Sequence, residues 1–305
     1  MVTINTSISS AVVLSLSRRK AQLLIGGKIE AARIPPGDLD VAVGDRVFFS
    51  TKSGEISIDQ VSPRKNCLTR SYREKTRDIA ANLDRLYLVS SVTPLFQPLF
   101  IDRVVAVCES ESIPVYLIVN KSDLGLEETA DLMRIYERIN VPILNTSAKF
   151  GRGLDQLERS LAEPGLEVVA LAGLSGVGKS SLLNCLVPDA ARRTGEVSVR
   201  SGRGKQTTSQ GVGYRYHLPK EDRNLLIIDL PGVQNFGVSH LSKEQVAAGF
   251  LEFGAFSVDC AFDNCGHIAD KVCGVRNAVA RGDIAQSRYD SYVHMMDEVA
   301  GARKY

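Results

Sequence analysis

The strongest constraint on this chain is an apolar, strand-like run, Val168–Ala172. It passes directly into Gly173-Leu174-Ser175-Gly176-Val177-Gly178-Lys179-Ser180, and Ser181–Leu186 then reads as a helix. Strand, glycine-rich turn and helix in that order form a phosphate cradle. The glycines let successive backbone N–H groups converge on one anion, and the helix N-terminus adds positive potential at the same point. Lys179 is expected to reach the β- and γ-phosphates, and Ser180 to hold Mg²⁺.

The base follows from a second strand end. Val115–Val119 is apolar and runs into Asn120-Lys121-Ser122-Asp123. A carboxylate at Asp123 can accept from two donors on the guanine edge, which adenine lacks in that geometry. Lys121 is placed over the base plane and Asn120 braces the loop. After the next strand, Val141–Leu144, comes Asn145-Thr146-Ser147-Ala148-Lys149, similar to the GTPase loop whose backbone N–H reads the guanine carbonyl. A third apolar run, Leu225–Ile228, ends in Asp229-Leu230-Pro231-Gly232. There Asp229 is assigned to Mg²⁺ and the Gly232 N–H to the γ-phosphate. Between the cradle and this motif lies Gly202-Arg203-Gly204-Lys205-Gln206-Thr207-Thr208. Thr207 or Thr208 is the candidate for Mg²⁺ and γ-phosphate in a switch segment, with Thr208 grouped with Ser180 and Asp229 as the magnesium set.

These motifs run in an unusual order. GTPases ordinarily place the phosphate loop first and the base-reading loops last; here the base-reading loops come first. Domain termini tend to lie close together, so joining them and opening the chain elsewhere can preserve one core. The opening leaves the Asp229 motif at the C-terminal edge of the nucleotide domain, beside whatever follows.

Two flanking segments complete the organisation. Residues 1–72 read as short strands, Ser10–Leu16, Ala21–Ile25, Arg46–Ser50 and Glu55–Val61 among them, punctuated by Gly and Pro. Such a pattern suggests a small closed barrel of the OB-fold kind. This end is basic: residues 1–75 hold 12 Lys/Arg against 7 Asp/Glu, while the whole chain carries only +2. That surplus fits a phosphate-backbone partner as well as it fits an ordinary solvated surface. Residues 76–238 alternate strands with helices, Leu99–Cys108 and Glu127–Ile139 for example, as a mostly parallel, helix-covered sheet does. Residues 239–305 are expected to be helical around Cys260, Cys265, His267 and Cys273. Spaced C-x4-C-x-H-x5-C, these four suit one structural Zn²⁺ with no open position for catalysis. Cys67, Cys108 and Cys185 read as lone thiols. No apolar run reaches the roughly 20 residues of a membrane span, and no secretory signal is evident. A reduced, cytoplasmic protein without a membrane partner, and a monomer, is the expectation.

Together the barrel, the permuted α/β nucleotide domain and the Cys/His segment resemble the RsgA (YjeQ/YloQ) family of small ribosomal subunit biogenesis GTPases. The resemblance covers nearly the whole chain. It implies binding of GTP and GDP, association with the small ribosomal subunit and its rRNA late in maturation, and hydrolysis stimulated by that subunit. In the family a histidine regarded as catalytic precedes the two switch threonines; this chain has Gln206 there, and Val233 follows the Asp229 motif as in the family. Gln206 is therefore the catalytic candidate, set against the alternative of a solvated loop residue with the ribosome supplying the group. Two other readings stand beside an assembly GTPase. One is a nucleotide-gated RNA-binding module with incidental hydrolysis; the other is a permuted GTPase of the large subunit.

Overall fold

The computed structural model describes residues 9–37, 39–72, 75–94, 96–188, 190, 211–230 and 236–302. The first five strands are β1 (Ser9–Ser17), β2 (Lys20–Ile25), β3 (Lys28–Arg33), β4 (Arg46–Lys52) and β5 (Glu55–Val61). They run β1-β2-β3-β5-β4, and β4 returns to β1, so the sheet closes into a five-stranded barrel. β3 and β5 pair in parallel and the other barrel pairs are antiparallel. Inside lie Val13, Leu23, Val47 and Ile58, all fully buried, with Ala11, Ala21 and Ala32 filling the gaps. In β2 the alternation is plain, with Ala21 and Leu23 inward and Lys20 and Gln22 outward. β3 buries only Ala32. Its period-2 signal is therefore absent, and its position follows from the two-residue hairpin at Gly26-Gly27, both at positive φ.

Beyond the barrel comes an antiparallel ribbon of β6 (Cys67–Tyr72) and β7 (Lys75–Ala81), which straddles the domain boundary expected near residues 72–76. The nucleotide domain is then built on β8 (Arg85–Ser91), β9 (Val115–Asn120), β10 (Ile143–Asn145), β11 (Val168–Gly173), β12 (Val212–Leu218) and β13 (Arg223–Asp229). Their order is β10-β9-β8-β11-β13-β12, parallel throughout except for β12 on β13. Every residue of β8 and β11 is buried, as in strands covered on both faces. One face packs α1 (Pro98–Ser110) and α2 (Ala130–Arg138); the other packs α3 (Leu154–Leu161) and α4 (Lys179–Leu186). β12 also bridges to β1 at Ser15–Val212, joining barrel and sheet edge to edge.

Among the described residues the remaining helices are α5 (Lys243–Ala248), α6 (Phe253–Ser257), α7 (Gly274–Arg281) and α8 (Gln286–Ala302). They share a core with α1 through Val246, Phe250, Tyr292, Met295 and Val299. A polar anchor lies inside this contact. Arg288 donates to Asp102 of α1 at 2.7 Å and to Glu252 at 2.8 and 3.0 Å, with Arg288 and Asp102 almost fully buried. Burial pushes the Asp102 carboxyl above the usual carboxylate range, and the guanidinium opposes that shift. Removing Arg288 alone would strand a buried acid, a loss of about 3–5 kcal/mol. No helix among the described residues is long and apolar enough to cross a membrane.

The expected strands and helices have counterparts with shifted ends. The Val141–Leu144 strand starts at Ile143, the phosphate-loop helix starts at Lys179, and Glu127–Ile139 splits into a 3-10 turn, Glu127–Thr129, and α2. β3, the ribbon and α6 carry too little apolar periodicity to be read, whereas β12, with Val212, Tyr214, Tyr216 and Leu218 in alternation, and α3, with Leu154, Leu157 and Leu161 on one face, are periodic elements that the sequence reading left unnamed, as it did α7.

Candidate functional site

Four loops meet at the C-terminal ends of neighbouring parallel strands, where α/β sheets bind ligands. The phosphate loop leaves β11, the central strand, between β8 and β13. A Cβ on Gly173 would meet the Val89 carbonyl at 2.4 Å, so only glycine lets β11 turn there. Gly176 and Gly178 sit at φ +85° and +91°. Gly178 is the N-cap of α4 and no side chain caps that helix, which leaves its first N–H groups for an anion. Leu174 is half-buried, Ser175, Ser180 and Ser181 are exposed, and Val177 and Lys179 are buried.

Asn120, at the end of β9, ties three of the loops together. Its Nδ2 donates to the Val177 carbonyl at 3.0 Å, while its Oδ1 accepts from the Ala148 N–H at 3.1 Å and the Thr146 hydroxyl at 3.2 Å. Asn120 is itself 2% exposed. A Cβ on Gly178 would fall 2.2 Å from Asn120 Nδ2, so the glycine also makes room for the brace. Lys121 adopts the left-handed region, φ 61°, a strained conformation for a side-chain-bearing residue and of the kind that gathers at functional sites. Its ammonium group donates to the carbonyls of Gly176 and Thr93. The Ser147 hydroxyl donates to Asp123 Oδ1 at 2.5 Å, orienting the carboxylate. Lys149 follows with its Nζ 5.0 Å from the Phe150 ring centroid. Gly153 then passes so close to the Asn145 carbonyl that a Cβ would lie 2.0 Å from it.

At the fourth loop, Asp229 ends β13 and pairs with the Lys179 ammonium group. The structure thus brings together the phosphate loop, both base-reading loops and Asp229. Gln206, Thr207, Thr208 and Gly232 lie outside the described residues.

From Gly237 to His240 the chain is gripped from two sides. The Ser71 and Gly237 backbones exchange hydrogen bonds at 3.1 and 3.0 Å, and the Ser71 hydroxyl contacts His240 Nδ1 at 2.7 Å. Glu298 of α8 accepts from the Val238 N–H at 2.7 Å and from Arg103 of α1 at 2.6 Å. Sequence reasoning missed Thr93, Ser71, His240 and Glu298. Each acts only through tertiary proximity, and no local pattern marks it.

Cys260, Cys265, His267 and Cys273 converge, with ligand atoms all within 4.8 Å of one another. Cys273 caps α7, its sulfur accepting from the Arg276 N–H at 3.4 Å. His267 presents Nδ1 to the sulfurs of Cys260 and Cys273. Burial lowers its imidazole below the ordinary histidine range and so favours the neutral form that a metal ligand needs. Tyr289 and Tyr292 of α8 hold the loop by donating to the carbonyls of His267 and Gly266 at 2.8 and 3.0 Å. These four residues can hold one metal ion. Among the described residues the cysteines form no disulfide; Cys108 is buried, Cys67 half-buried and Cys185 exposed.

A phosphate loop in mid-sheet, base-reading loops that precede it in the chain and a barrel hydrogen-bonded to the sheet edge define a circularly permuted P-loop GTPase. The chain belongs to the RsgA GTPase family, whose signature matches residues 61–239. It is 36% identical to the small ribosomal subunit biogenesis GTPase RsgA of Haemophilus influenzae over 270 residues, 85% of this chain and 76% of that protein. Against its namesake in Histophilus somni the identity is 37%, over 85% and 75% of the two chains. The crystal structure of YjeQ from Thermotoga maritima superposes with a TM-score of 0.73 at 30% identity, over 96% of this chain and 99% of that one. YloQ, described as a circularly permuted GTPase, superposes with a TM-score of 0.66 at 22% identity, over 98% and 97%, and supports the fold alone.

Proposed function

We propose that this chain binds GTP with Mg²⁺ across the four loops and hydrolyses it to GDP and phosphate as a late maturation factor of the small ribosomal subunit, contacting its rRNA. The observation that carries the nucleotide reading is the Asn120 brace, which joins phosphate loop and both base loops into one unit. In this reading the loop from Gly173 to Ser181 cradles the phosphates and Lys179 neutralises them. Asp123 and a backbone N–H of the Asn145–Lys149 loop read guanine, with Lys121 and Lys149 flanking the base. Ser180, Asp229 and Thr208 would hold Mg²⁺, which neutralises charge building on the β- and γ-oxygens. Gly232 contacts the γ-phosphate, and Gln206 orients the attacking water. The subunit reading rests on family membership and on the named relatives.

The Cys/His set suits Zn²⁺. A tetrahedral ion with zinc-like bond lengths needs sulfur–sulfur edges of roughly 3.8 Å and sulfur–nitrogen edges of roughly 3.5 Å. Cys260 and Cys273 are 3.9 Å apart, and His267 Nδ1 lies 3.6 and 3.4 Å from them. With four protein ligands the ion orders the segment and takes no part in hydrolysis. The chain works in the cytoplasm as a monomer.

Co-sedimentation with each purified ribosomal subunit tests this reading. Binding to the small subunit in a non-hydrolysable GTP analogue, weaker binding in GDP, and turnover raised by that subunit are expected. Turnover indifferent to subunits would instead support the RNA-binding module with incidental hydrolysis.

A further inference from the structure

Four of the eight large apolar side chains exposed among the described residues fall between 258 and 272. Val258 is 79% exposed, Phe262 62%, Val272 57% and Ile268 37%. Single exposed apolar residues are ordinary; several in one small knuckle mark an interaction surface. The knuckle brings them together. The Ala261 N–H donates to the Val272 carbonyl at 3.2 Å, and the Cys265 N–H to the Phe262 carbonyl at 3.1 Å. The inward side of the loop is taken up by the four ligand side chains, so the apolar residues between them face out. The knuckle is too small to bury them itself.

Charge decides what covers them. Asp259 and Asp263 are exposed beside Val258 and Phe262, and Asp270 lies on the same loop. Against these three acids the cations at the knuckle are Lys271 and Arg276, whose guanidinium donates to the Asp270 carbonyl at 2.9 Å. Three cysteine thiolates around one divalent ion would leave further negative charge. Such a surface is repelled by a phosphate backbone and complements a basic protein surface with apolar side chains. We propose that the knuckle docks on a basic protein of the small ribosomal subunit, leaving rRNA contacts to other parts of the chain. The proposal rests on the small-subunit reading above.

Two double variants of the zinc-loaded full chain test it: Phe262→Ser with Val272→Ser, and Asp259→Asn with Asp263→Asn. All four side chains are exposed and none is a ligand, so zinc content and GTP affinity should match wild type and verify the fold. Co-sedimentation is measured on intact small subunits and on deproteinised small-subunit rRNA. Both variants should bind intact subunits about 10-fold more weakly and bare rRNA as wild type does. Tighter binding of the Asp→Asn variant to either target would mean that the knuckle faces phosphate, which overturns the proposal. So would wild-type affinity for subunits in the Phe262/Val272 variant, or equal losses on both targets. Failure of the wild-type chain itself to bind subunits would sink the small-subunit reading instead.

Discussion

Lys179 and Asp229 form an ion pair across the nucleotide site, lysine from the phosphate loop and carboxylate from the end of β13. Both belong to groups that a Mg²⁺–triphosphate would separate, the lysine turning to phosphate and the acid to the metal shell. Entry of that ligand would exchange partners and leave neither charge alone in a largely buried setting. Asp229→Asn should keep much of the affinity for GDP without metal. Its turnover should fall by about 100-fold, the scale of losing one charge-stabilising contact in the transition state. Stopped-time phosphate release across a Mg²⁺ titration measures this, and wild-type turnover at saturating Mg²⁺ would remove Asp229 from the metal site.

Guanine selectivity should depend on Asp123 and on the serine that orients it. Asp123→Asn turns an acceptor into a donor facing guanine donors, so preference should move towards xanthosine triphosphate. Ser147→Ala leaves the acid in place but free to rotate. A loss of about 10-fold in GTP affinity is expected, the value of one hydrogen bond to a charged group. Competition titrations with the two triphosphates separate the variants; an Asp123→Asn protein that still prefers GTP would overturn the base-site assignment.

Cys265→Ser should abolish stoichiometric zinc and loosen residues 258–273 while nucleotide binding persists, because the four loops of the G site share no residue with the knuckle. Metal analysis and GDP affinity on the same preparation decide it. The Cys/His set was legible because its ligands lie within 14 residues. The phosphate loop, the base loops and Asp229 were legible for a similar reason: each is a short motif at the end of an apolar strand. By contrast, Ser71 and His240 are 169 residues apart, and Val238 and Glu298 are 60 apart. Their pairing depends on the ribbon, whose strands offered no apolar alternation, and on how α8 packs against α1. Local pattern holds no trace of either.

That clamp titrates. Burial holds the His240 imidazole below its ordinary value, against the smaller opposing pull of Glu298 and Asp78. The folded protein therefore binds fewer protons here than the unfolded chain. The contribution is fully present above the ordinary histidine range and is lost as pH falls through the lowered folded value. Denaturant midpoints should drop further between pH 7.5 and 5.5 in wild type than in His240→Asn. Equal drops would show that His240 does not contribute.

Glu298 links the exit of the Asp229 loop to both α8 and α1. Nucleotide-dependent movement of that loop should thus reach the C-terminal helix through one side chain. Hydrogen exchange in α8 is expected to differ between GDP and a GTP analogue in wild type. In Glu298→Ala that difference should shrink, with nucleotide affinity little changed. Identical protection of α8 in both nucleotide states of the wild type would refute the coupling.

Gln206, outside the described residues, directly precedes Thr207 and Thr208. A side chain placed just before the switch threonines can orient the attacking water only when that segment is ordered, and switch segments are ordered by the triphosphate. Basal turnover should therefore be slow. Docking on rRNA would bring phosphates to Arg203 and Lys205 beside Gln206. Glutamine donates and accepts at once, so it can hold a water as histidine does, without histidine's capacity to take a proton near neutral pH. Phosphoryl transfer depends more on positioning than on proton abstraction, so the exchange is tolerable. Gln206→Ala should lower subunit-stimulated turnover by about 10-fold or more, the lower range for one positioned group. GTP affinity should barely change, and Gln206→His should stay active. A stimulated rate in Gln206→Ala equal to wild type would assign the water-orienting group to the ribosome.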